Sequence, residues 1–152
     1  VEGAEYVARS VDQVDMAGGV DGALHGHGET SSCAFHLTAR AREGQIARVA
    51  DVHENLVVLD LREESVIYAG NRFVVYAMYP QCDISMHVMW GREKANTVYT
   101  VGKSIFDRSC PLDAGAMMLK HGGGGHHAAG TCQGENATAD AMKRQLIGEL
   151  RA

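Results

Sequence analysis

Residues 121–130 read HGGGGHHAAG, with four consecutive glycines beside a pair of histidines. Glycine reaches positive φ without steric cost and lets a ligand approach the backbone closely. Successive exposed N–H groups form a concave anion site, and a histidine adds a donor or, once protonated, a positive charge. A flexible linker is the alternative, but linkers usually mix glycine with serine. Because this run lies between a predicted helix and a predicted strand, we expect a tight, ordered turn that binds an anion.

The segments on either side of the glycine run carry helix and strand signals. Asp113 is a typical N-cap for a short helix over AGAMMLKH (114–121), which the glycines then end. AAGTCQ (128–133) follows as a predicted strand. Upstream, Arg108 offers a planar guanidinium fork of the kind that binds phosphate bidentately. We therefore interpret residues 104–130 as one anion-binding unit that consists of Arg108, a helix and a glycine cradle.

Short apolar runs before this unit predict a β-sheet. LVVLD (56–60) is one strand, and RFVVYAMY (72–79) is rich in β-branched and aromatic residues. ISMHVMW (84–90) alternates cleanly, so its apolar residues share one face. We expect 72–79 and 84–90 to pair as a hairpin, and TVYTVGKSI (97–105) to extend the sheet.

Two longer helices complete the pattern. One is predicted from Ser31 or Ser32 to about Val49, and the last begins at Asn136 or Thr138. The buried stripe of the last helix consists of Met142, Leu146 and Leu150. Three to five strands between helices predict an α/β fold with a mixed β-sheet of about five strands flanked by helices.

Charge is unevenly distributed along the chain. The 152 residues carry 14 Lys and Arg against 19 Asp and Glu, a net charge of −5. Residues 1–71 hold 12 of the acidic and 5 of the basic side chains, whereas residues 72–130 hold 4 and 6. A long duplex usually recruits a broad basic face, so this modest positive balance favours a small anion. We divide the chain into an acidic N-terminal arm with a linker helix (1–52) and a domain at 53–152.

Other patterns carry less information. Gly102-Lys103-Ser104 is not a phosphate loop, because Thr97 stands where that motif needs a glycine. His25 and His27 form an HxH pattern that we interpret as an ordinary loop. No apolar run long enough for a membrane span and no signal peptide occur, which favours a cytoplasmic protein with reduced, mostly buried thiols. The cysteines lack the close pairs typical of a zinc site: Cys33, Cys82, Cys110 and Cys132.

GGGGHHAAG (122–130) resembles the signature of the C-terminal DHH-associated domain of DHH-superfamily phosphoesterases. That superfamily includes RecJ-like exonucleases, nanoRNases and exopolyphosphatase-related proteins. The likeness extends to GNRFVVYAMYP (70–80), ISMHV (84–88) and SIFDRS (104–109), and it covers the chain from about Leu56 to the C-terminus. The combination of the glycine-histidine motif with the SIF-x-RS segment makes the resemblance specific.

The resemblance implies a two-domain enzyme. Its N-terminal DHH domain would hold two Mn²⁺ or Mg²⁺ ions, which activate a water for attack on phosphorus. The C-terminal domain would close over the cleft and hold the phosphate and nucleotide parts of the substrate. His87 stands where similar sequences have an arginine, which leaves its role open. The substrate-binding residues that the resemblance implies are Gly123, Gly124, Gly125, His126 and His127, with Arg108 as a phosphate ligand and Asn71 and Arg72 as weaker candidates.

The chain lacks both a DHH sequence and an Asp-x-Asp-Gly motif. We therefore expect no catalytic or metal-binding residue in it, and Val1 in place of an initiator methionine favours a fragment. The leading hypothesis is the substrate-binding part of a phosphoesterase, with the missing DHH domain as its partner and short RNA or DNA oligonucleotides or nucleotide phosphates as substrates. One alternative is a non-catalytic nucleic-acid-binding module, and another is a domain that mainly makes homodimer contacts.

Overall fold

The computed structural model describes residues 28–151, with side chains from residue 39 onward, so the predictions for His25 and His27 lie outside the described residues. Within this range, no helix is long and apolar enough to cross a membrane. Short 3₁₀ turns occur at Arg92–Lys94 and Asn136–Thr138. The helices and strands are α1 (Gly28–Val49), β1 (Ala50–His53), β2 (Leu56–Asp60), α2 (Val74–Met78), β3 (Ile84–Trp90), β4 (Thr97–Lys103), α3 (Ala114–Lys120), β5 (Gly124–His126), β6 (Ala129–Gly134) and α4 (Ala139–Leu150).

The strands form one mixed sheet in the order β1-β2-β3-β4-β6-β5. β2 and β3 run parallel, and the other neighbouring pairs are antiparallel. The predicted α/β fold with a mixed sheet is thus confirmed, although the described residues contain six strands rather than about five. The two strands that the sequence analysis missed, β1 and β5, have four and three residues.

Residues 72–79 do not form the predicted strand, and they do not pair with 84–90. Val74–Met78 is the helix α2, and β3 lies between β2 and β4 instead. Parallel strands need a crossover connection, usually a helix, and α2 lies in the connection between β2 and β3. Val75 and Tyr76 are buried against the sheet, so tertiary packing overrides the β-propensity of the segment.

The sheet has one covered face and one partly open face. The covered face carries Met86 and Val101 and packs against α3 and α4. The opposite face carries Val57 and Leu59, which pack against α1 and α2. Among the described residues, these helices pack mainly on the β2 side of that face. The face continues across β3 and β4 with Ser85, His87, Thr100 and Gly102, where Tyr76 of α2 covers it in part. We call the β3–β4 part the open face, because a cavity lies on it.

The helix ends follow the sequence predictions in part. Asp113 caps α3, since its Oδ1 accepts a hydrogen bond from the Ala116 amide at 2.8 Å. Thr138 occupies the N-cap position of α4 but makes no capping bond, and Asn136 instead bonds the Lys94 carbonyl and the Thr97 hydroxyl. The predicted stripe of α4 is confirmed, with Leu146 and Leu150 buried and Met142 partly buried in the core.

The proposed boundary at residue 53 stays a prediction. Ile46, near the end of α1, is fully buried in the core beneath the sheet. β1 pairs with β2 along its whole length. The last turns of α1 and β1 are therefore packed as part of the same fold as the residues that follow.

Candidate phosphate-binding cavity

A cavity of about 440 Å³ lies on the open face of the sheet. Its floor consists of Ser85 and His87 from β3 and Thr100 and Gly102 from β4. One wall is the start of α2, from Arg72 to Tyr76, and the other combines the segment after β4 with residues 127–129. The site therefore lies on the β3–β4 part of the sheet, beside the start of α2.

The cavity has a positive rim. Arg72 and Arg108 both line it and are both exposed. Neither arginine takes part in any ion pair between described residues. The Arg72 guanidinium lies over the Phe73 ring at 4.7 Å, and the described residues of the lining include no Asp or Glu. Two unpaired guanidinium groups without a competing carboxylate suit a phosphate ligand.

The floor of the cavity is polar but uncharged. The Tyr76 hydroxyl donates to the Gly102 carbonyl at 2.8 Å and bonds the Ser85 hydroxyl at 2.8 Å. Burial raises the pKa of Tyr76 to about 12, so the hydroxyl keeps its proton. Burial, with the charge of Arg42 as a second cause, lowers the pKa of His87 to about 4. His87 Nε2 is buried and has no hydrogen-bond partner in the described part of the chain.

Local hydrogen bonds build the turn that presents Arg108. Ser104 Oγ accepts hydrogen bonds from the amides of Phe106 and Asp107, at 3.1 and 3.2 Å. Asp107 Oδ1 accepts from the Ser109 amide at 2.9 Å. Hydrogen bonds from Ser109, the side chain first and the amide second, lower the pKa of the Asp107 carboxyl. Serine and aspartate form such side-chain turns readily. The SIFDRS segment thus holds Arg108 at the rim through its own side chains.

The structure brings three of the predicted residues together at the cavity: Arg72, Arg108 and His127. Asn71 lies beside it but not in its lining, and its Oδ1 accepts from the Phe73 amide at 2.9 Å to start the turn into α2. His126 is exposed and pairs across the ladder with Ala129, a lining residue, which puts it on the same side of the sheet.

The predicted glycine cradle lies outside the cavity lining and is not a simple turn. Gly124 and Gly125 belong to the edge strand β5, so one row of their backbone groups has no neighbouring strand among the described residues. A Cβ at Gly123 would overlap the Thr131 carbonyl oxygen, and one at Gly115 would lie 2.6 Å from the Gly125 carbonyl carbon. These glycines let α3 and the β5–β6 hairpin approach closely, a packing reason that the sequence analysis did not consider.

Several cavity residues were missed by the sequence analysis: Tyr76, Ser85, Thr100, Lys103 and Ser104. One signal was present for Ser85, which shares with His87 one face of the otherwise apolar strand β3. Two polar residues on one strand face indicate that this face contacts either solvent or a polar site. Lys103 gave no functional signal, since it lies within the predicted strand 97–105 and its Gly102-Lys103-Ser104 segment does not match a phosphate loop.

The described residues do not fit the divalent metal site that the resemblance implies for the whole enzyme. From residue 39 to 151, no three side chains of His, Cys, Asp or Glu are close enough to hold an ion together. Mn²⁺ and Mg²⁺ prefer several oxygen ligands, usually carboxylates. We therefore assign no reaction step to a metal in this domain. Cys82, Cys110 and Cys132 are buried free thiols, as the sequence analysis predicted.

Comparisons with known proteins agree with the resemblance seen in the sequence. No model of a protein family and no curated protein sequence matches the chain. It is similar to the solved structure of a pGpG-specific phosphodiesterase, PggH, from Vibrio cholerae, with 50% identity and a TM-score of 0.77. It is also similar in fold to an exopolyphosphatase-related protein from Bacteroides fragilis, with 13% identity and a TM-score of 0.56.

Both likenesses extend over most of this chain but over a minority of the other. The first covers 80% of this chain and 42% of PggH, and the second covers 75% and 35%. The chain thus spans less than half the length of either protein. With the glycine-histidine motif and the mixed sheet, these findings identify the chain as a DHH-associated domain.

Proposed function

We propose that this domain holds a short linear nucleotide for hydrolysis by a DHH-family phosphoesterase, with pGpG as the first substrate to test. The pair of unpaired arginines at the rim of the cavity carries this proposal. The 50% identity to a pGpG-specific phosphodiesterase supports the choice of substrate. The name pGpG denotes a linear dinucleotide of two guanosines with a 5′ phosphate. It therefore offers both charged phosphates and bases to one site.

The distribution of charge suggests how such a ligand lies in the cavity. The phosphates would contact Arg72, Arg108 and His127 at the rim, with His126 as an additional donor beside them. A base would enter the uncharged floor, where His87 and Thr100 form no hydrogen bond with another described side chain. Single-stranded nucleotides are commonly recognised through base edges and stacking in this way.

We assign binding and orientation, but not bond cleavage, to this chain. The resemblance puts the Mn²⁺ or Mg²⁺ ions in an N-terminal DHH domain, where they supply the activated water when bound. The residues of this chain would hold the scissile phosphate at the cavity rim, against that domain. Buried free thiols fit the reducing cytoplasm as the place of action.

Calorimetric titration of the protein with pGpG tests the proposal. We expect binding without added Mn²⁺ and a loss of about 10–100-fold in affinity for Arg72→Ala and for Arg108→Ala, the range of a hydrogen-bonded charge pair. Arg144→Ala is the matched control, since Arg144 is exposed on α4, against the covered face. Absence of pGpG binding would contradict the proposal. Hydrolysis of pGpG by this chain with Mn²⁺ would contradict the assignment of bond cleavage to another domain.

A further inference from the structure

Lys103 is a buried lysine whose ammonium group has three acceptors. Its residue exposure is 8%, and its Nζ lies at the junction of three chain segments. The amine donates to the carbonyls of Cys110 and Leu112 at 2.7 and 2.8 Å, and it lies 3.0 Å from His127 Nε2. An ammonium group has three donors and no acceptor, so all three of its hydrogens have partners. This pairing offsets the cost of burying the charge.

Two of the three bonds fix the segment that follows Arg108. The Cys110 and Leu112 carbonyls lie two and four residues beyond that arginine. The side chains of Ser104 and Asp107 already close the turn on its near side. Lys103 therefore fastens the far end of the same loop to the end of β4, and Arg108 lies between two fixed points.

The third bond determines which ring nitrogen of His127 carries hydrogen. Because an ammonium group can only donate, the Nε2 that faces Lys103 must be the acceptor, and the ring hydrogen lies on Nδ1. Nδ1 lies 3.6 Å from Asp113 Oδ2, and the other oxygen of that carboxylate caps α3. The His127 carbonyl also accepts from the Ala114 amide at 3.1 Å. The ring is therefore held at the cavity rim with its N–H donor turned toward Asp113, a carboxylate with which a ligand phosphate would compete for it.

From this arrangement we infer that Lys103 is a positioning residue for the anion site: it holds the Arg108 loop and keeps His127 in the Nδ1–H form without contacting the ligand. The inference deepens the proposed function and rests on it for the identity of the ligand. It adds a residue that binds neither phosphate nor base but sets the geometry of two residues that do.

The test combines an NMR measurement without ligand with a binding measurement. Long-range ¹H–¹⁵N correlation of the histidine rings at pH 8 should show His127 protonated on Nδ1 in the wild-type protein. In Lys103→Met, which keeps the chain length but has no donor, the Nδ1–H preference should weaken, since only the Asp113 carboxylate still favours that form. The affinities for pGpG and for inorganic pyrophosphate should each fall at least tenfold. Lys103→Gln retains donors without charge and should lose less than Lys103→Met.

Lys120→Met is the matched control, because Lys120 is exposed at the end of α3 and should leave both measurements unchanged. Circular dichroism of each variant verifies the fold, and Lys103→Gln replaces Lys103→Met if the latter does not fold. A wild-type His127 protonated on Nε2, or a folded Lys103 variant with unchanged affinity, would overturn the inference. If pyrophosphate binds and depends on Lys103 while pGpG does not bind, the inference holds and the proposed substrate is wrong. If neither pyrophosphate nor pGpG binds, both the inference about Lys103 and the proposed function are wrong.

Discussion

Gly124 and Gly125 are neighbours in β5 with opposite tolerance for a side chain. Gly125 has a φ of +155°, and an added Cβ would overlap the Ala129 carbonyl oxygen, whereas a Cβ at Gly124 would meet no atom within 4 Å. We expect Gly125→Ala to lower the free energy of unfolding by about 1–3 kcal/mol and Gly124→Ala to change it by less than about 0.5 kcal/mol. Urea denaturation of both variants measures this, and equal losses would contradict the packing role.

Gly124→Val provides a second test at the same position. The substitution should leave the fold intact, because a Cβ at Gly124 meets no atom of the described residues within 4 Å. If the β5 backbone binds the ligand, as the sequence analysis predicted, the valine should weaken pGpG binding. His126→Ala should weaken it as well, since His126 lies on the same side of the sheet. Unchanged affinity in both variants would confine the site to the cavity lining.

Arg108 gives the sharpest prediction about binding at a single residue. Arg108→Lys keeps the charge but removes the planar fork that binds phosphate bidentately. We expect about a tenfold lower affinity for pGpG, measured by calorimetry, with no change in thermal stability, because Arg108 is exposed. Arg144→Lys should have no effect on either quantity. A full-affinity Arg108→Lys variant would show that Arg108 contributes only its charge.

His87 makes the stability of the protein depend on pH. Burial lowers the pKa of its imidazole to about 4, while the unfolded chain keeps the ordinary value of 6.5. As pH falls from 6.5 to 4, the unfolded state takes up a proton that the folded state does not, so the free energy of unfolding decreases by up to about 3 kcal/mol. His87→Gln should lose this dependence. Denaturation curves at pH 7, 5.5 and 4.5 test it, and parallel pH profiles for both proteins would refute it.

At the scale of elements, a charge network joins the end of β2 to α4. Asp60 accepts hydrogen bonds from Arg62 at 2.9 and 2.7 Å and from Lys143 at 2.8 Å, and Arg62 also reaches Asp140 at 2.7 Å. The Trp90 indole donates to the Arg62 carbonyl at 2.8 Å. The network fixes α4 against the strand end from which the chain turns toward α2.

Asp60→Asn should therefore destabilise the fold. Burial opposes ionisation of Asp60, but the hydrogen bonds from Arg62 and Lys143 outweigh it and lower the pKa of the carboxyl to about 2. A lowered pKa stabilises the folded state above pH 3.8, and this contribution is lost as pH falls toward 2. We expect a loss of about 1–3 kcal/mol at pH 7. Asp51→Asn, at an exposed position of β1, is the control. A difference between wild type and Asp60→Asn that persists unchanged at pH 2 would contradict the account.

The elements also show what a single sequence can predict. The alternation in 84–90 correctly separates the buried face of β3 from the face that carries Ser85 and His87, and Asp113 correctly begins α3. Residues 72–79 have the composition of a strand but form α2, because a parallel β2–β3 pair needs a crossover and the buried Val75 and Tyr76 supply its contacts. Whether such a segment forms a strand or a helix depends on which strands become neighbours in the sheet. Local propensity carries no information about strand order.

The same limit applies to the candidate site. Arg108 and His127 could be found because the motif that carries them is specific. The role of Lys103 could not be predicted, since it depends on carbonyl groups and a histidine ring that lie 7 to 24 residues away in sequence. The glycines were recognised as unusual, but their close packing against α3 depends on the tertiary contact rather than on the run itself.

At the scale of the whole molecule, the cavity results from unequal cover of one sheet. α3 and α4 bury one face, while the described parts of α1 and α2 pack mainly on the β2 side of the other face and leave a cavity on its β3–β4 part. That open face carries hydrogen-bonding groups on its floor and unpaired arginines at its rim. The arrangement is consistent with the proposed role, in which this domain holds an anionic ligand for a separate catalytic domain.

Mapping of pGpG on the protein by ¹H–¹⁵N chemical-shift perturbation tests this account most directly. We predict that the largest shifts occur at Ser85, Thr100, Gly102, Arg108 and His127, around the open face. Residues of α4 and of the covered face, such as Gln145 and Leu146, should stay unchanged. Shifts confined to the covered face, or no shifts at millimolar pGpG, would contradict the claim that the open face is a nucleotide-binding site.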